Sequence, residues 1–491
     1  MKPWAVEDYS IERLRALFDE PCAANQFADT VHDVYFEEYF ETIGAKSIVV
    51  ERDYIDHDFL EDFAAYYVRC FQPYARTCTR LHFFHETIKT VDVEQMLGGS
   101  PRASKKLARS YLGFIVVRPV PQRPVGRTCL VTYDSEGERE YPCLRQYDAN
   151  LFGLPLSVRS LAFQQQDKAV AACATSALWA AFQVSGKLFG HRIPSPAAIT
   201  ANATRRIPLD TRTLPASSGL TAEQMADAIR ACDLEPVLVG CRDARDLRAA
   251  VYGYAGAGIP LVLVGVVEGE SEDPPPRHAV TITGYRLGAT ARFEGLVSDR
   301  LSKLYAHDDA VGPFARMDFI EGEAALLTTS IADGKHNIGK QLFRPELVLV
   351  PVYHKIRIPF DRVLREILSL NFFLDGLRAA GLAMSKFLPS CDWDIRLRTV
   401  NDYKVELRAS ASTSMSVVLE RGLPRFLWVA RATHEAGGGF DLLFDATGIE
   451  SDNLCVLRVD RGSPVPQTLR EAAIGAETFV GAEGVASRLL A

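Results

Sequence analysis

The stretch DKAVAACATSALWAAFQ (167–183) places Cys173 at the front of an apolar, alanine-rich segment of strong helix propensity. A thiol there meets unsatisfied backbone N–H groups and the positive end of a helix dipole, both of which favour a thiolate. Nucleophilic catalysis by cysteine needs an ionisable thiol, a base within hydrogen-bond reach, and a third group that orients the base. The base candidate is His278, which follows a proline-rich segment and opens the strand-like HAVTITGYR (278–286). The orienting candidates are Asp308 and Asp309 in YAHDDAVGPF. A carboxylate at a strand end would fix the imidazole tautomer and stabilise the imidazolium. Taken singly, each residue has a second reading. Cys173 could be a small buried hydrophobe, His278 a surface histidine, and HDD a turn closed by Asx hydrogen bonds. His307 beside the two aspartates also has the chemistry of a metal site, although ligands adjacent in sequence rarely converge on one ion.

Cys173, His278 and Asp308, taken in that order, resemble the papain-like cysteine peptidase superfamily. There the Cys opens a central helix, and the His and an Asn or Asp lie on neighbouring strands of the following sheet. More narrowly, HAVTITGY followed by KLYAHDD looks like the bacteriocin-processing (double-glycine leader) peptidases, and GLTAEQMADAI between Cys and His fits their layout. The resemblance covers about 155–330 and implies a papain-like central domain, with the Cys-bearing helix packed on an antiparallel sheet. It implies Cys173 as nucleophile, His278 as base, and Asp308, the first carboxylate after the strand, as the orienting group in preference to Asp309. The family also uses a Gln six residues before the Cys to hold the oxyanion. Asp167 occupies that place here, and a carboxylate would repel the developing charge. Gln166, one residue further back, is therefore the expected donor together with the Cys173 backbone N–H. Ala174 stands where the family often has Gly. The implied activity is thiol acyl-transfer hydrolysis of a peptide or protein, with no metal and no organic cofactor. Two alternatives keep the same residues: an inactive papain-like module used for protein binding, and a transglutaminase- or arylamine N-acetyltransferase-like enzyme.

The chain as a whole sets the frame. Its 491 residues are 47% hydrophobic and 24% charged, in the ordinary range for globular proteins. At roughly 150 residues per domain this predicts two to four domains. A net charge of −7 argues against nucleic-acid or anionic-membrane binding driven by charge. The first residues, MKPWAVEDYSIERLRALFDE, lack the apolar run of a secretory signal, and no stretch is long and apolar enough for a membrane span. The ten cysteines show no CxxC and no regular spacing, which predicts reduced thiols in a cytoplasmic protein.

The elements that must position the three residues follow from periodicity. The expected organisation is α+β: a mixed α/β region over 1–150, a papain-like domain over 151–345, and a mixed accessory region over 346–491. The flanking regions would supply substrate selection, autoinhibition or a surface for a protein partner. In the first region, residues 58–84 have helical spacing up to Pro73, and LHFFH spaces His82 and His85 as two residues on a helix would be. SYLGFIVVRPV (110–120) reads as a buried strand. In the central region, residues 191–219 read as a turn-rich connection. A helix over 220–236 follows, started by Thr221, and then a strand at 236–240. ARDLRAAVYGYA reads as a helix, IPLVLVGVV (259–267) as a strand, and 268–277 as a polar loop. In the last region, a strand leads into an amphipathic helix over 361–370, and three further strands follow.

Overall fold

The structure, a computed structural model, describes residues 2–22, 27–28, 30–133, 139–167, 169, 171–206, 219–268, 277–288, 295–323, 325–332, 337–379, 391–409, 416–434, 438–449 and 455–461. The chain divides into two compact units. One comprises Met1–Arg242, Gly258–Tyr285 and Lys303–Pro351; the other comprises Asp243–Ala257, Arg286–Ser302 and Val352–Ala491.

The first unit opens with a five-stranded antiparallel sheet whose spatial order follows the chain: Trp4–Asp8, Ser47–Tyr54, Cys78–Phe84, Tyr111–Val117 and Val125–Leu130. Helix Val31–Ile43, capped by the Thr30 hydroxyl and stopped by Gly44 at φ 71°, stacks Phe40 on Phe83 with ring centroids 4.4 Å apart. The 58–84 segment holds the helix His57–Ala65, a 3-10 turn Tyr67–Arg69 and the strand Cys78–Phe84. His82 therefore sits on a strand and not on a helix face. It is buried, with Nδ1 3.0 Å from the Tyr111 hydroxyl and Nε2 3.3 Å from Glu51.

The central sheet overturns the expected papain-like arrangement. Helices and antiparallel strands are both present, so the content is α+β, but the strands close on themselves. Leu261–Glu268 pairs with Arg277–Leu287, which neighbours Leu301–Asp308; Gly312–Phe319, Leu326–Ala332 and Asn337–Tyr353 then follow. Asn337–Tyr353 pairs back onto Leu261–Glu268, with Val262 opposite Leu349, and this closes a six-stranded barrel. Closure pairs both edges that an open sheet would leave bare. The strands at 261–268 and 277–287 are legible locally, those at 312–319 and 326–332 were not expected, and the pairing that joins the first strand to the last has no local signal.

Helix Cys173–Phe189 is buried almost all round, from Ala174 to Ser185, which explains its apolar sequence. Thr281 of the barrel donates to the Ala177 carbonyl at 2.7 Å, and Trp179 Nε1 donates to Asp58 at 2.8 Å. The helix is thus held between the barrel and the N-terminal region. The connection after it is not turns alone: it contains helix Pro196–Ala203, capped by Ser195. Residues 207–218, and 269–276 of the expected polar loop, lie outside the described residues.

The second unit is built on a five-stranded sheet ordered Gly295–Leu296, Cys391–Thr399, Phe426–His434, Gly439–Asp445, Cys455–Asp460. Helices Ala244–Ala255 and Phe360–Ala379 meet it through Trp428, whose ring lies 5.1 Å from Tyr254 and 5.3 Å from Phe360. The second of these helices is the one expected over 361–370, extended by further residues at its C-terminal end.

Candidate active site

Cys173 is the first residue of its helix, half-buried, and preceded by Ala172, which gives no side-chain cap. A helix start without a capping side chain keeps backbone N–H groups for a ligand. Ala172 has extended geometry, and its carbonyl accepts from Ser176 at 3.0 Å, the first bond of the helix.

His278 comes from the barrel strand Arg277–Leu287 to the same cavity as Cys173, near enough for the thiol to act on its imidazole. Its Nε2 lies 2.7 Å from Asp308 Oδ1. With Nε2 on Asp308, Nδ1 is the ring nitrogen that remains for another partner. Burial opposes a charge on His278. The Asp308 charge and hydrogen bond, the Cys173 thiol and the Asp309 charge outweigh it, and hold the imidazole well above its ordinary 6.5. Asp308 is also buried, yet the His278 charge and hydrogen bond, with the Ala310 N–H, keep its carboxyl below the ordinary value. Asp308 ends the strand Leu301–Asp308, and the same Oδ1 accepts from Ala310 N at 3.0 Å. The same Asp308 carboxylate therefore closes an Asx turn and holds the His278 ring. Gly312, across this turn, is packed so closely that a Cβ there would stand 2.3 Å from the Tyr35 ring.

Asp309 is buried beside it, with Oδ1 4.0 Å from His278 Nε2. Neither of its carboxylate oxygens has a hydrogen-bond partner among the described residues. Burial pushes its carboxyl up to about 6. His307 takes no part in this cluster. It accepts from Phe314 N through Nδ1 at 3.1 Å and faces the Leu161 carbonyl through Nε2 at 2.9 Å, and burial drives it down to about 3. The ligating atoms that do lie within 4.8 Å of one another are those of His278, Asp308 and Asp309, two of which are already joined by a hydrogen bond.

The three glutamines before Cys173 diverge. Gln165 is buried, approaching Val125 N and His32 at 3.4 Å each. Gln164 is buried with its Nε2 unpartnered among the described residues. Gln166 is half-buried. Asp167, six residues before Cys173, serves the loop itself. It accepts from Ala169 N at 3.0 Å, Ala171 N at 2.8 Å and the Tyr67 hydroxyl at 2.6 Å.

Cys173 and His278 border a cavity of about 480 Å³. Leu220, Met225, Val264 and Leu347 make its walls apolar, and Arg277 and Glu346, joined by an ion pair at 2.9 Å, are also on it. The start of helix Ala222–Arg230 contributes Thr221 and Gln224, which cap one another. The signal for Arg277 was its place next to His278. Glu346 and Leu347 carried none, because only barrel closure brings their strand beside Val264.

No protein-family model matches the chain, and no curated protein matches it.

Proposed function

We propose that this protein is a thiol-dependent acyl-transfer hydrolase, a cysteine peptidase acting on a peptide or protein. The observation that carries the reading is the imidazole of His278, held at 2.7 Å by a buried carboxylate and sharing the edge of a cavity with a helix-start cysteine. Cys173 Sγ attacks the substrate carbonyl carbon, and the C–O π pair moves onto oxygen. The Cys173 backbone N–H and the Gln166 amide are the proposed oxyanion donors. His278 gives its proton to the leaving amine, the C–N bond breaks and a thioester remains. Water then attacks the thioester, His278 takes its proton, and the acid leaves as Sγ departs. The apolar cavity walls suit an uncharged side chain near the scissile bond. The flanking regions are proposed to select the substrate or to bind a protein partner. No helix among the described residues is long and apolar enough to cross a membrane. The ten cysteines, none of them in a disulfide, support a reducing compartment, and the proposed location is the cytoplasm.

The test is alkylation of Cys173 by iodoacetamide across pH, alongside turnover of a peptide library read by mass spectrometry. Expected are a thiol more reactive than free cysteine at pH 6–7 and cleavage that C173A abolishes without changing thermal unfolding. A thiol that reacts only above about pH 8, together with a C173A variant that loses roughly 1–2 kcal/mol of stability, would assign Cys173 to the core instead.

A further inference from the structure

Asp309 stands out in the first unit because a buried carboxylate is ordinarily hydrogen-bonded, and both of its oxygens lack partners among the described residues. The groups around it come from several elements. His278 reaches it from one barrel strand at 4.0 Å, and Asp308 adjoins it on the next. The Arg123 charge acts on it from the segment before Val125–Leu130. His32, on helix Val31–Ile43, is close enough to feel the charges of Asp308, Arg123 and Arg118. Behind His278 is the Cys173 thiol. Two carboxylates therefore face one imidazole, one bonded through a short hydrogen bond and the other with no donor to its oxygens among the described residues. A carboxylate in such a position acts through its charge, since it has no bond to lose.

We propose that Asp309 is a second positioning carboxylate of this site, whose charge acts with Asp308 to keep His278 as the imidazolium partner of a Cys173 thiolate. This rests on the reading of Cys173 and His278 as nucleophile and base. It assigns the two aspartates different tasks. Asp308 fixes the ring by a hydrogen bond, and Asp309 supplies a countercharge that becomes available as its own proton leaves. Burial, with the Asp308 charge, pushes the Asp309 carboxyl up to about 6, against the His278 and Arg123 charges and its own backbone N–H. The site then gains its second countercharge only above mildly acidic pH.

The experiment compares wild type and D309N, which keeps the side-chain size and removes the charge. The ¹⁵N resonances of His278 are titrated, and the iodoacetamide rate at Cys173 is followed across pH. The expected result is a His278 titration lowered by about one pH unit in D309N, with slower alkylation at pH 6–7. Identical His278 titrations in the two proteins would overturn the proposal. If D309N does not fold, the wild-type protein decides. A step in the His278 shift between pH 5 and 7, moved upward in R123Q, supports it; a flat shift over that range overturns it. A wild-type Cys173 no more reactive than free cysteine removes the underlying functional reading, and this one with it. A reactive Cys173 with an unchanged D309N profile removes the role of Asp309 alone.

Discussion

The Tyr67 hydroxyl donates to Asp167 Oδ2 at 2.6 Å, so a residue of the N-terminal region holds the loop that delivers Cys173 to its helix. The other oxygen of Asp167 gathers the Ala169 and Ala171 amides. The carboxylate that departs from the expected glutamine is thus an anchor for the loop.

Removing that anchor tests the coupling. Y67F removes the Tyr67 donor from a buried carboxylate, and should lower stability by about 1–2 kcal/mol. It should also slow alkylation of Cys173, because the loop in front of the helix loosens. Urea unfolding and iodoacetamide kinetics on the same variant read both. An unchanged alkylation rate with lowered stability would confine Tyr67 to the fold.

The two aspartates should separate under substitution. D308A loses the hydrogen bond to His278 and the turn bond to Ala310, whereas D309A loses no hydrogen bond. The expected loss in kcat is at least about ten-fold larger for D308A. Steady-state kinetics on a cleaved peptide measures it, and the reverse order would give the orienting role to Asp309.

Stability should depend on pH in a defined window. His278 is raised above its ordinary 6.5, so its contribution is complete below that value and is lost as pH rises through the raised folded value. Asp308 is depressed, so its contribution is present above the ordinary 3.8 and is lost as pH falls through the lowered value. Asp309 works in the other direction. Raised from 3.8 to about 6, it lowers stability as pH climbs between those values. Urea midpoints of wild type and D309N, measured from pH 4 to 8, should therefore diverge between pH 4 and 6, with D309N losing less. Parallel curves would show that Asp309 does not titrate there.

In the second unit, Gly253 lies in helix Ala244–Ala255 where a Cβ would stand 2.6 Å from the Phe360 ring. G253A should destabilise by about 1–3 kcal/mol through overpacking, despite the better helix propensity of alanine. Thermal unfolding checks this; a stabilised variant would show that Phe360 has room to move.

The local settings of the site are legible in short runs of residues. Alanine-rich propensity and apolar periodicity mark the helix that Cys173 begins. A β-branched run marks the strand near whose start His278 lies, the apolar residues of KLYAHDD mark the strand that Asp308 ends, and Thr221 marks the start of a helix that borders the cavity. These are properties of a few consecutive residues. Tertiary structure decided what those settings enclose. The pairing of Leu261–Glu268 with Asn337–Tyr353 closes a barrel where an open papain-like sheet was expected, and it brings Glu346 and Leu347 to the cavity. It is also only in the folded chain that Asp167 turns to Tyr67, that His307 is consumed by backbone bonds, and that Asp309 is buried beside His278 with no donor to its carboxylate among the described residues. The physical reason is common to all of these. Strand partners, burial and the charges around a side chain are set by residues far apart in the chain, and no local pattern records which of them will meet.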